Sequence, residues 1–252
     1  MHSRGAHRIR LWLAGIFIAC ATAATAASPG GPSSDGEWRA PARDPQNTRY
    51  SPLADIDTGN VKDLSVSFTF STGVLRGHEA APIVVDDTMY VVTPYPNVLY
   101  ALDLMRPGAP LKWKYDPKPK SASQGVACCD FVNRGVAYAD DRIFYNTLDA
   151  TTVAIDARTG RELWRRALGD INVGETMTMA PLVVGNKVLV GNSGGEFGVR
   201  GWIVALDVRT GATVWKAYST GPDADVLIGD RFKPSASLPL EISFSSSAIV
   251  IS

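Results

Sequence analysis

An all-β fold, a β-propeller of four-stranded blades, is predicted by three observations on the sequence. Trp113, Trp164 and Trp215 recur at intervals of 51 residues. An Ala-x-Asp triplet precedes each of them: Ala101-Leu-Asp103, Ala154-Ile-Asp156 and Ala205-Leu-Asp207. Short apolar runs separated by turn formers fill the intervals, with 23 Gly and 16 Pro in 252 residues and no long stretch of helical periodicity.

Each repeat parses into four strands. Pro82-Ile-Val-Val85 and Met89-Tyr-Val-Val92 flank an Asp86-Asp87 turn, and Pro181 to Val190 repeats the hairpin around Gly185-Asn186. The Ala-x-Asp strand follows, then a Thr-Gly turn, then the strand that carries Trp. In the last two copies the pattern is Ala-[Ile/Leu]-Asp-x-Arg-Thr-Gly-x-x-x-Trp, whereas the first has Pro107-Gly108 in the connection. Four strands per unit at this period match a propeller blade. A parallel β-helix expects shorter periods and no hairpin turns. The repeated residues read as architecture. The Asp accepts from turn amides, Gly160 and Gly211 supply positive φ, and the Trp lies between blades.

Three Trp-bearing units and a stretch from Trp38 to Phe70 account for the chain to about Pro234, or three to four blades. Residues 235–252 contain no Trp, Asp or Gly and do not begin another unit. Because a ring needs at least four blades, the sequence-based expectation is a truncation or a shifted frame near Pro234. A closing strand is the alternative.

Residues 1–26 are predicted to be an export signal. Arg4, Arg8 and Arg10 form a basic start, Leu11 to Thr22 is uncharged and apolar, and Ala24-Thr25-Ala26 offers small residues for cleavage. Residues 27–234 then form a partial propeller domain. Removal of the signal takes three of 25 basic residues and none of 25 acidic ones, leaving a net charge of −3. That balance argues against nucleic acid or an anionic membrane as partner. No membrane-spanning segment is expected in the mature chain.

Hydrophobic residues make up 45% of the chain, enough for a sizeable core. Cys128 and Cys129 are the only cysteines left after cleavage, in a chain bound for an oxidising compartment. A bond between adjacent cysteines closes a strained ring, since their Cα atoms lie about 3.8 Å apart against a usual range of about 4.4–6.8 Å. Two free thiols or an intermolecular bridge are the alternatives.

Arg134, ahead of a strand starting at Val136, offers a fork for a carboxylate ligand, or else a surface ion pair. Asn192-Ser193-Gly194-Gly195-Glu196 follows the apolar strand Val188-Leu-Val190. Its small residues let backbone amides approach an anion, and Glu196 offers oxygen to a hard cation. Glu79, in Gly77-His78-Glu79, is a further candidate.

These segments occur in order, each at the start or turn of a repeat: Gly77 to Pro82, Cys128-Cys129, Glu175-Thr-Met-Thr-Met-Ala-Pro181, Ser193 to Gly201, and Ala217 to Asp223. Together they resemble the large subunit of the quinoprotein methanol dehydrogenases, eight-bladed periplasmic propellers that use pyrroloquinoline quinone (PQQ). The resemblance covers about Glu37 to Arg231, and Gly195 ahead of Glu196 is similar to the lanthanide-dependent branch. It implies that Glu79, Arg134, Thr178, Ser193, Gly194 and Gly195 hydrogen-bond PQQ. It further implies that Cys128-Cys129 is a disulfide ring on one face of the cofactor and that Glu196 binds calcium or a lanthanide. The implied reaction is oxidation of a primary alcohol such as methanol to the aldehyde, with a cytochrome c-type acceptor; a homo-oligomer is left open. The family's catalytic Asp base matches no residue of this chain, so the chain alone is expected to be inactive. A non-catalytic propeller scaffold shares the Ala-x-Asp and Trp repeats but gives no reason for the Cys-Cys or Ser-Gly-Gly-Glu segments. A PQQ sugar dehydrogenase is expected to lack the cysteine pair.

Overall fold

Alternating apolar residues and Asp or Gly turns build three four-stranded antiparallel sheets in the computed structural model, which describes residues 37–44, 46–127 and 131–227. The predicted export signal, the tail from Ser235, and Cys128 and Cys129 lie outside the described residues. The first sheet holds β1 (Ile83–Val85), β2 (Thr88–Val92), β3 (Leu99–Asp103) and β4 (Leu111–Tyr115). The second holds β5 (Ala137–Ala139), β6 (Arg142–Thr147), β7 (Thr151–Asp156) and β8 (Glu162–Ala167). The third holds β9 (Leu182–Val184), β10 (Lys187–Gly191), β11 (Trp202–Asp207) and β12 (Thr213–Tyr218). In each the strands lie in chain order, and β5 and β9 approach each other where the second and third sheets meet. Three sheets of this kind are the predicted blades.

The tight turns fall where the sequence puts turn residues. Asp86 between β1 and β2 has φ 49°, and Gly185 between β9 and β10 has φ 55°. Asp156 accepts from the Thr159 amide at 2.7 Å, and Asp207 accepts from the Thr210 amide at 2.9 Å. The Thr159 hydroxyl, also donating to Asp156, is the main reason that its carboxyl sits below the ordinary range.

The period of two explains how the blades stack. In the middle blade Ile143, Tyr145, Val153 and Ile155 point into a core shared with the first blade. The alternate residues Phe144 and Ala154 point into a core shared with the third. One sheet therefore buries both faces, and β6 is inaccessible along nearly its whole length. Phe68 and Phe70, from the N-terminal stretch, pack on the other face of the first blade against Val98, Tyr100, Leu102 and Ala109. Trp38 makes an antiparallel bridge to Val84 in β1.

The tryptophan repeat has a common geometry. Trp113, Trp164 and Trp215 each lie opposite the alanine of the Ala-x-Asp triplet, Ala101, Ala154 and Ala205, and the register shifts immediately after that alanine in all three blades. The methyl side chain leaves room for an indole on its neighbour. The ring then reaches the following blade: Trp113 Nε1 donates to the Ala157 carbonyl at 3.0 Å and Trp164 Nε1 to the Val208 carbonyl at 3.1 Å. Beneath the rings are Gly160 and Gly211, at φ 72° and 67°. A β-carbon there would lie 2.7 Å and 2.6 Å from the indoles, so only glycine fits. Truncating a buried Trp such as Trp164 typically costs about 3–5 kcal/mol.

Candidate functional site

Glu79, Arg134 and Thr178 precede the innermost strands of the three successive blades, β1, β5 and β9. Since each blade repeats the same up-and-down path, these loops fall on one rim. The connections from β2 to β3, β6 to β7 and β10 to β11 lie on the same rim, and Ser193 to Glu196 belongs to the last of them.

Arg134 is aimed by its neighbours. Asn133 is buried; its side-chain amide donates to the Asn146 carbonyl at 2.8 Å, and its oxygen accepts from the Gly135 amide at 3.0 Å. With the loop pinned to β6, the Arg134 amide donates to the Thr178 carbonyl at 3.0 Å. Its guanidinium donates to the Thr178 hydroxyl at 2.7 Å and lies 3.4 Å from the Glu79 carboxylate. Asn146 also donates to the Met179 carbonyl at 3.0 Å, a second tie between the same blades. The Thr178 and Ser193 hydroxyls are 3.3 Å apart, and the Ser193 amide donates to the Thr176 carbonyl at 2.7 Å. Glu79, Arg134, Thr178 and Ser193 thus form one continuous polar line.

The side chains of Arg134 and Glu79 are 53% and 50% exposed, so the line opens to solvent at one end. An ion pair this exposed contributes no more than about 1 kcal/mol to stability. A guanidinium has five donors, which leaves it capacity for a further acceptor beside Thr178 and Glu79. Arginine, two hydroxyls and loop amides make a donor set suited to carboxylates.

The predicted glycine turn closes on itself. Asn192 Oδ1 accepts from the Trp202 amide at 2.7 Å, and Asn192 Nδ2 donates to the Arg200 carbonyl at 3.2 Å. Between these points Gly194 adopts φ 119° and Gly195–Phe197 form a single 3-10 turn. A β-carbon on Gly194 would lie 2.4 Å from the Gly174 carbonyl oxygen, so the loop before β9 backs directly onto the turn. Glu196 is exposed within the turn. No group of three or more His, Cys, Asp or Glu side chains able to hold a metal gathers among the described residues.

The structure brings together Glu79, Arg134, Thr178 and Ser193 and places Gly194, Gly195 and Glu196 in the turn that follows. The segment carrying the cysteine pair is flanked by Ala127, whose amide donates to Ser123, and Phe131, whose carbonyl accepts from Tyr95 at 2.8 Å. Asn133 and Asn146, whose side chains hold these loops, carry no distinguishing mark in the sequence, and Asn192, which opens the candidate glycine segment, shows its holding role only through the backbone groups it meets.

Comparison with known proteins shows the family. Residues 38–231 match the family model "PQQ: Glucose/ethanol/alcohol dehydrogenase, beta-propeller domain". The chain is 54% identical over 197 residues to a lanthanide-dependent methanol dehydrogenase of Methylacidiphilum fumariolicum (strain SolV), covering 78% of this chain and 32% of that protein. It is 49% identical over 205 residues to subunit 1 of the methanol dehydrogenase [cytochrome c] of Methylobacterium organophilum, covering 79% of this chain and 33% of that protein. A solved europium-containing methanol dehydrogenase superposes with a TM-score of 0.76 at 54% identity, over 77% of this chain and 34% of the other. The chain spans about a third of the length of the curated relatives it matches. With its three tryptophan-bearing blades and more than half of its residues within the family model, the chain belongs to the PQQ-dependent alcohol dehydrogenase β-propeller family.

Proposed function

We propose that this chain supplies one rim of a PQQ site in the periplasmic oxidation of a primary alcohol such as methanol. The observation that carries the reading is the polar line from Glu79 through Arg134 and Thr178 to Ser193, continued by the Gly194-Gly195-Glu196 turn. PQQ is a flat tricarboxylate, and the donor set fits it. Arg134 offers a fork to a carboxylate, Thr178 and Ser193 offer hydroxyl donors, and Gly194 and Gly195 offer backbone amides without side chains in the way. PQQ held by these residues would supply a hydride acceptor for alcohol oxidation.

The residues divide the remaining work. Arg134 and the two hydroxyls bind and orient the carboxylates. Glu79, held by Arg134, fixes the guanidinium plane. Glu196 presents one carboxylate to a hard cation, calcium or a lanthanide, which takes oxygen ligands. By resemblance to the family, Cys128 and Cys129 would form a vicinal disulfide bordering the cofactor. None of these residues is given the role of general base. The N-terminal signal directs export and is cleaved after Ala26, and a cytochrome c-type protein accepts the electrons. Similarity to proteins named lanthanide-dependent and europium-containing favours a lanthanide at Glu196.

Equilibrium dialysis of the exported chain against PQQ, with and without lanthanum or calcium ions, tests the assignment. Cation-enhanced binding that is lost in Glu196→Gln is expected. Binding that ignores both the cation and the substitution would remove the metal from the reading.

A further inference from the structure

Glu175 is an acidic residue close to the proposed site, yet neither of its oxygens is free. Oε1 accepts from Trp202 Nε1 at 2.8 Å, and Oε2 accepts from the Asp170 amide at 2.7 Å. The Glu175 amide in turn donates to the Asp170 carbonyl at 3.2 Å, closing the loop around the short 3-10 turn Ile171–Val173. Each oxygen keeps a further lone pair, but the two N–H donors fix where the carboxylate sits and tie the 170–175 loop to Trp202.

What Glu175 reaches is the frame of the glycine turn. Trp202, 4% exposed, is the residue at which that turn ends, and its amide is bound by Asn192, where the turn begins. The residue after Glu175, Thr176, pairs with Ser193 in an antiparallel bridge at the start of the turn. The residue before it, Gly174, lies against the turn so closely that a β-carbon would meet Val199 at 2.9 Å. Three consecutive residues, 174–176, therefore grip the beginning, the back and the end of the 193–201 turn, and the carboxylate is the polar part of that grip.

We propose that Glu175 is a positioning residue, acting through Trp202 to hold the Ser193–Glu196 turn in the conformation in which its amides and the Glu196 carboxylate face the ligand. The link to ligand binding rests on the PQQ reading of the site; the ordering of the turn does not. Gln at this position keeps the size but has one acceptor for two donors. Trp202→Phe removes only the indole donor.

Native-state hydrogen exchange on the full chain, compared with PQQ titration, tests this. In Glu175→Gln and Trp202→Phe, exchange of the Ser193, Phe197 and Val199 amides is expected to accelerate about tenfold or more, the loss of one charge-assisted hydrogen bond. Exchange at Val190 and Val204 in β10 and β11 is expected to stay within about twofold of wild type, as for any change confined to a local opening. The double variant is expected to lose no more than the worse single one, because both changes break one interaction. PQQ affinity is expected to fall in step with the turn's exchange. Unchanged exchange in the turn would overturn the proposal, as would acceleration that extends equally to Val190 and Val204. If wild type binds no PQQ while the exchange result holds, the cofactor reading fails and Glu175 stands as the residue that orders the turn.

Discussion

Gly211 lies beneath the indole of Trp164, with its would-be β-carbon 2.6 Å from the ring and its own φ at 67°. One residue thus meets a conformational and a steric demand together, at the seam where one blade locks onto the next. Gly198, also at positive φ (78°), has nothing within 4 Å of the same position. The two glycines therefore separate the two costs. Gly198→Ala is expected to destabilise by about 1–2 kcal/mol, the left-handed backbone cost. Gly211→Ala is expected to add about 1–3 kcal/mol of overpacking to that. Urea unfolding of both variants checks the order; equal costs would mean that the indole yields without penalty.

The Thr178 hydroxyl links Arg134 to Ser193. Thr178→Val keeps the shape and removes the link. About 1 kcal/mol of binding, or roughly a fivefold weaker PQQ affinity, is expected from one lost hydrogen bond of this kind. Isothermal titration with PQQ measures it, and the folded state must be checked by circular dichroism alongside.

A second polar link joins β4 of the first blade to β8 of the second. Tyr115 donates to Glu162, and Arg165 donates to Glu162 at 2.8 Å and to the Tyr115 oxygen at 2.7 Å. The Arg165 hydrogen bond is the main reason that the Glu162 carboxyl sits below its ordinary value of 4.5, and burial is the main reason that the Tyr115 phenol is pushed up to about 12. A lowered carboxyl stabilises the fold above its ordinary value and loses that contribution as pH falls through the lowered folded value. The unfolding midpoint of wild type is therefore expected to drop in acid more steeply than that of Glu162→Gln. Parallel curves would show that Glu162 carries no share of the acid sensitivity.

If Cys128 and Cys129 are joined to each other, intact mass of the exported chain under non-reducing conditions will be two hydrogens below the reduced mass, with no dimer. Alkylation of two thiols without prior reduction would show free cysteines, and a disulfide-linked dimer would show an intermolecular bridge.

The blades were legible in the sequence because their determinants are local. Hairpin turns at Asp86 and Gly185, the Asp caps at Asp156 and Asp207, and the 51-residue spacing of the tryptophans each act within one repeat. The alternation of β6 also foretells burial on both faces, once it is known that a blade lies on either side. The convergence of Glu79, Arg134 and Thr178 was not visible in spacing; it arises because all three precede an innermost strand, a property of topology. Resemblance to a family supplied those residues, whereas it gave no role to Glu175 or Trp202. Their pairing joins two loops through a carboxylate and an indole, and no periodicity marks such a contact. The stretch from Trp38 to Phe70 reads as part of a further unit, and the structure shows what it does for the described blades: Trp38 bridges β1, and Phe68 and Phe70 cover a face of the first blade.

Arg134 and its neighbours are proposed to bind PQQ. Fluorescence titration of the full mature chain with PQQ, in wild type and Arg134→Ala, tests it most directly. Saturable binding is expected in wild type, weakened about 10- to 100-fold in the variant, the range for losing hydrogen bonds to a charged group. A dye-linked assay on the same samples is expected to show no methanol oxidation. Absence of saturable binding in wild type, or equal affinity in Arg134→Ala, would contradict the account.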